Sequence, residues 1–84
     1  MNFTVYSKPN CPHCVQAKAL IKSNNYEYQE VILDVGQEKI SSESYITRDE
    51  LFEKIPNAKA MPQIILNDKV VGGFAQLKTL LSIK

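Results

Sequence analysis

The chain has 84 residues, 44% of them apolar, with ten Lys and Arg against nine Asp and Glu, two Cys, one His and no Trp. That size gives one domain, residues 1–84, with a single compact core. A formal net charge of +1, without a basic run, leaves no electrostatic case for nucleic acid or an acidic membrane surface. Apolar runs of three residues, such as 31–33 and 64–66, are far too short to span a membrane.

Residues 2–6 alternate Phe3 and Val5 with Thr4 and Tyr6, which is the period of a strand. The start has neither the basic residues nor the apolar stretch of a secretory leader, so the expected location is the cytoplasm. Residues 7–12 break the strand. A helix is expected over 12–24, with Cys14, Ala17, Leu20 and Ile21 at spacings of three and four and Lys18 and Lys22 on another face. Pro12 suits its first turn, where no N–H is needed.

Residues 26–33, rich in Tyr, Val and Ile, read as a second strand. The polar, Ser-bearing stretch 34–46 reads as a loop with room for a short helical turn, and its residues 36–46, distant in sequence from every candidate site residue, read as structural. Thr47-Arg48-Asp49-Glu50 is a capping box, flanked by Ile46 and Leu51 as a hydrophobic staple, and a short helix burying Leu51, Phe52 and Ile55 follows. Residues 62–66 and 69–71 form a hairpin about Asn67-Asp68. After Gly72-Gly73, a last helix puts Phe74, Leu77, Leu80 and Leu81 on one apolar face. The expected order is βαβαββα: a four-stranded mixed sheet flanked by helices, the first pair parallel through a right-handed crossover.

Cys11-Pro12-His13-Cys14 directly follows a strand and opens a helix, a context in which a C-x-x-C reads as redox chemistry. Other readings stay open at this point. A structural disulfide would close so short a loop that it stabilises by only about 2 kcal/mol in the entropy model. A zinc site lacks donors, because His13 is the only other soft or imidazole ligand. An iron–sulfur cluster shared between two chains and two unremarkable thiols complete the set.

For the redox reading, Cys11 stands at a helix N-terminus, where unpaired N–H groups and the macrodipole favour a thiolate. Lower basicity also lowers nucleophilicity, so the main gain is in Cys11 as a leaving group. Cys14, one turn further on the apolar face, is the shielded resolving thiol. A protonated His13 would stabilise the Cys11 thiolate further, an effect His13→Tyr should remove; otherwise His13 is an exposed spacer.

These residues resemble the short bacterial and bacteriophage glutaredoxins of the thioredoxin superfamily. The resemblance covers essentially the whole chain and rests on Lys8, Cys11-Pro12-His13-Cys14, Ala60-Met61-Pro62 and Gly72-Gly73-Phe74. It implies a thioredoxin-like fold and a dithiol enzyme with Cys11 as nucleophile and Cys14 as second thiol, tuned by Pro12 and His13. It further implies reduction of protein disulfides and glutathione mixed disulfides, with glutathione as reductant and ribonucleotide reductase as a candidate acceptor. No tightly bound cofactor or metal is implied, and the expected protein is a monomer in the cytoplasm, the host's if the source is viral.

Carried over by position, Pro62 matches the family's cis-proline, and Met61 would pair its backbone with glutathione as with a strand. Lys8 and Lys59 match positions near one carboxylate. Gly73, Phe74 and Ala75 would place backbone N–H groups at the other. The family's usual Thr-Val-Pro is Ala60-Met61-Pro62 here, and Phe74-Ala75-Gln76 lacks the usual Asp, so weaker glutathione binding is expected. Pro12 and Cys14 argue against the monothiol cluster-carrying branch. Two alternatives remain: a glutaredoxin-like protein reduced by thioredoxin reductase, and a non-catalytic iron–sulfur carrier or binding module.

Overall fold

The computed structural model describes residues 2–56, 58 and 61–82. Strand β1 is Phe3–Ser7, helix α1 Pro12–Ser23, strand β2 Tyr28–Leu33, strand β3 Ser44–Ile46, helix α2 Arg48–Lys54, strands β4 Gln63–Leu66 and β5 Lys69–Gly72, and helix α3 Phe74–Ser82. The strands form one five-stranded sheet in the order β3-β2-β1-β4-β5. The expected four strands are thus corrected to five, because residues 44–46 extend the sheet beyond β2. Val31 pairs in parallel with Ser44, and Leu33 with Ile46.

β1 is the hub, parallel to β2 on one side and antiparallel to β4 on the other. Strand alternation sends its side chains to two cores. Phe3 and Val5 pack with Ile64 of β4, Ala17 and Ile21 of α1, and Leu77 of α3. Tyr6 packs on the opposite face with Leu33, Ile46, and Leu51 and Ile55 around α2. One face therefore carries α1 and α3 and the other carries α2.

Local chemistry fixes the joints. The Thr47 side chain accepts the Glu50 N–H while the Glu50 carboxylate accepts the Thr47 N–H, the reciprocal capping box read from the sequence. Asn67 and Asp68 take φ of 49° and 69°, as a two-residue turn matched to strand twist requires. Two expectations of burial fail. Phe52 is 44% exposed on the outer side of α2, and Leu80 lies exposed on α3, so the apolar contacts of these helices are narrower than their composition suggests. Among the described residues no helix is long and apolar enough to cross a membrane.

Candidate active site

The backbone runs from β1 through a short turn, with Asn10 at φ 56°, into the first turn of α1. Cys11 is the N-cap and Pro12 the first helical residue, so the missing N–H of proline falls where no partner is needed. The Cys14 N–H donates to Cys11 Sγ over 3.2 Å. Sulfur thereby occupies the place of a capping oxygen, which is the arrangement that would hold a thiolate once the bond is opened. Cys11 and Cys14 form a disulfide with Cα atoms 5.2 Å apart. Cys14 is 1% exposed and Cys11 7%, the order expected of a shielded and an attacking thiol.

The Met61–Pro62 peptide is cis, as the resemblance implied and as the residues alone could not specify. The Met61 carbonyl oxygen lies 3.8 Å from Cys11 Sγ, so the segment leading into β4 faces the disulfide. Two clefts flank this centre. The smaller, about 290 Å³, is lined by Met61, Pro62, Gly73, Phe74 and Ala75 together with His13 and Gln76. Five of the residues expected to hold glutathione therefore meet in one place. Gly72, at φ 125°, could not carry a side chain there: a Cβ would come within 2.9 Å of the Gln76 side chain. That side chain folds back so that its Oε1 accepts the Gly73 N–H over 3.0 Å, a capping contact at the start of α3. His13 stacks on Phe74 with ring centroids 5.8 Å apart. It is thus tied to the start of α3 as well as standing between the cysteines.

The larger cleft, about 760 Å³, lies on the other side and includes both cysteines. Lys8 lines this cleft and not the smaller one, while Lys59 lies outside the described residues. The opposite wall comes from Gln37, Glu38, Ile40, Glu43 and Tyr45. Residues 36–46 are therefore more than the structural loop read from the sequence. Pairing of β3 with β2 returns this stretch beside α1, and the Tyr45 hydroxyl, accepting the Ile40 N–H over 2.8 Å, braces its turn. No sequence signal marked these residues, since their nearness to Cys11 arises only from the fifth strand.

On the sheet side of the larger cleft, Glu30 Oε2 accepts hydrogen bonds of 2.7 Å from both Lys18 Nζ and the Ser7 hydroxyl. Burial pushes the Glu30 carboxyl up, but these hydrogen bonds and the Lys18 charge outweigh it and hold the group below its ordinary value. A depressed native value stabilises the fold above the ordinary value of about 4.5 and is lost as pH falls through the native one. Glu30→Gln should accordingly lower thermal stability between pH 6 and 7, where the contribution is fully present, and flatten its fall on the acid side of about pH 4.5. Melting temperatures across that range check this, and parallel acid limbs in the two proteins would contradict it. Among the described residues no group of three or more His, Cys, Asp or Glu is arranged to hold a metal ion.

A mixed sheet that aims a Cys-x-x-C disulfide from a helix N-terminus at a cis-proline segment defines the thioredoxin-like fold class. The Glutaredoxin family model matches residues 3–71, and the chain belongs to the glutaredoxin family. Glutaredoxin 3 of Escherichia coli K12 is 30% identical over 79 residues, covering 94% of this chain and 84% of that protein. Glutaredoxin 1 of Rickettsia conorii is 30% identical over 69 residues, which are 82% of this chain and 61% of that protein, so the match spans about three fifths of the relative's length. Among solved structures, reduced Escherichia coli glutaredoxin superposes with a TM-score of 0.72 at 25% identity, covering 98% of this chain and 94% of the other. Brucella melitensis glutaredoxin gives 0.68 at 27% identity, covering 98% and 79%.

Proposed function

We propose that the chain is a glutathione-dependent dithiol oxidoreductase that reduces protein disulfides and glutathione mixed disulfides. It acts as a single-domain monomer in the cytoplasm, the host's if the source is viral, with ribonucleotide reductase among its candidate acceptors. The observation that carries this reading is the small cleft: Met61, Pro62, Gly73, Phe74 and Ala75 converge beside a carbonyl 3.8 Å from Cys11 Sγ. A tripeptide such as glutathione can place its cysteine sulfur at Cys11, pair its backbone with Met61 and set one carboxylate at the N–H groups of Phe74 and Ala75. Lys8 and Lys59 are the proposed cations for the other carboxylate.

The chemistry balances in thiols and disulfides alone. Cys11 thiolate attacks a target disulfide, forming a mixed disulfide and releasing one target thiolate, which takes a proton from solvent. Cys14 loses its proton and displaces the second target thiolate from Cys11, closing the Cys11–Cys14 bond. One glutathione thiolate then opens that bond by bonding to Cys11. A second removes the first as glutathione disulfide, leaving the dithiol. Two electrons pass from two glutathiones to the target.

The test is reduction of a glutathione mixed disulfide coupled either to glutathione with glutathione reductase or to NADPH with thioredoxin reductase. Activity in the first is the expected result. Turnover confined to the second would transfer the protein to the thioredoxin-reductase pathway, and silence in both, above all from a coloured iron-bearing protein, would replace the enzyme with a cluster carrier.

A further inference from the structure

Lys18 and Glu30 face the larger cleft, of which the glutathione reading uses Lys8 and the two cysteines but neither of these residues. Their side chains are only 25% and 26% exposed, whereas the other ion pair among the described residues, Lys39–Asp34, is more open at 45% and 29%. The third member, Ser7, is 2% exposed and donates to the same carboxylate oxygen. Holding charges in such a place is a poor route to stability, because desolvation offsets much of the attraction and apolar replacements of similar volume often do as well.

Position suggests what the charges do. Lys18 follows Cys14 by four residues on α1, so their Cβ atoms share a face one turn apart, about 5–6 Å. Both residues line the larger cleft. The other ionisable groups there are Lys8 from the turn before α1, Glu38 and Glu43 from the opposite wall, and Tyr45 from β3. His13 belongs to the smaller cleft, stacked on Phe74 with Lys78 at that ring. Lys18 is therefore the cation of α1 one turn from Cys14 in the same cleft, and Glu30, itself held by Ser7, keeps it there.

We propose that Lys18 is the positioning residue of the resolving step: its ammonium, tethered in the groove by Glu30 and Ser7, stabilises the thiolate that Cys14 must become before it closes the disulfide. The inference rests on the dithiol reading above. It assigns the ion pair to one half of the cycle, because the first attack is made by Cys11, whose sulfur is served by the helix N-terminus. Glu30 has a second effect, drawing off part of the positive potential that Cys14 feels.

The reaction of the reduced protein with the aromatic disulfide dithiobis(nitrobenzoate) separates the halves. Cys11 thiolate bonds to one reagent sulfur and releases one coloured thiolate. Cys14 thiolate, its proton gone to solvent, then displaces the second and closes the Cys11–Cys14 bond. Lys18→Met, which keeps the apolar stem, should slow the second release about 3- to 10-fold at neutral pH and move its pH midpoint up by about 0.5–1. The first release should be unchanged, and Lys18→Arg should restore the second. Glu30→Gln, whose amide oxygen can still accept from the Lys18 ammonium while the negative charge is gone, should hold the midpoint at or below that of the wild type.

Equal second releases in Lys18→Met and wild type, equal slowing of both releases, or a midpoint raised by Glu30→Gln as much as by Lys18→Met would each overturn the assignment. If Lys18→Met does not fold, the Glu30→Gln midpoint decides alone. Failure of the wild-type protein to give two releases would instead count against the dithiol reading itself.

Discussion

Cys11→Ser is expected to bring reduction of glutathione mixed disulfides down to the uncatalysed rate, whereas Cys14→Ser should keep that activity within about tenfold and lose the reduction of protein disulfides that need resolving. The asymmetry follows from position. Cys11 is the cap of α1, its sulfur accepting the Cys14 N–H, and the Met61 carbonyl marks the adjacent strand-like segment where a ligand sulfur would be presented. A hydroxyl at this place can neither ionise at neutral pH nor form a disulfide. Cys14 is 1% exposed on the buried face of the same helix, so it reaches only a sulfur already bonded to Cys11. Removing it leaves the exchange between Cys11 and glutathione intact. Steady-state assays with a small glutathione mixed disulfide and with a protein disulfide, run on both variants, check the pattern. Full activity of Cys11→Ser with either substrate would exchange the roles or abolish the assignment.

Features governed by neighbours in sequence are legible in the residues themselves: the capping box at Thr47, the turn at Asn67-Asp68, Pro12 in the first turn of α1 and the Cys-x-x-C between strand and helix. Each is a local rule satisfied by residues within four positions of one another. Features governed by strand pairing are not. β3 is three residues long, and its Ser44 and Tyr45 carry no alternation that separates a strand from a polar loop. Without that strand, the wall that residues 37–45 bring to the larger cleft is hidden, and with it the meaning of Glu30. An acidic residue inside the Tyr, Val and Ile run of β2 is the available signal. Alternation puts Glu30 on the face of Tyr28, toward α1, which is where Lys18 meets it. The cis peptide before Pro62 belongs to a third kind, a choice between isomers close in energy that the surrounding fold makes.

Phe3→Ala should destabilise the fold by about 3–5 kcal/mol, while Phe52→Ala should cost about 0.5 kcal/mol or less. Phe3 is 2% exposed and stands in the hub strand, packed with Val5, Ile64, Ala17, Ile21 and Leu77, with its ring centroid 5.7 Å from that of Tyr26. Removing it leaves a void bounded by β4, α1 and α3 at once, and backbone elements held by ladder hydrogen bonds cannot close it. A domain of this length has a total stability of about 4–13 kcal/mol, so the loss is a large share of the whole. It also falls on the strand that delivers the chain to Cys11, which couples the core to the position of the dithiol. Phe52 is 44% exposed and outside both cores, so its deletion opens no void in either of them. Urea unfolding followed by far-UV circular dichroism measures both costs, with the Cys11–Cys14 pair kept oxidised throughout. At a slope of about 1 kcal/mol/M the Phe3→Ala midpoint should fall by several molar, or the variant should lose its cooperative transition altogether. A Phe52→Ala loss as large as that of Phe3→Ala would mean that α2 is seated on the sheet by a wider face than Leu51 and Ile55 provide.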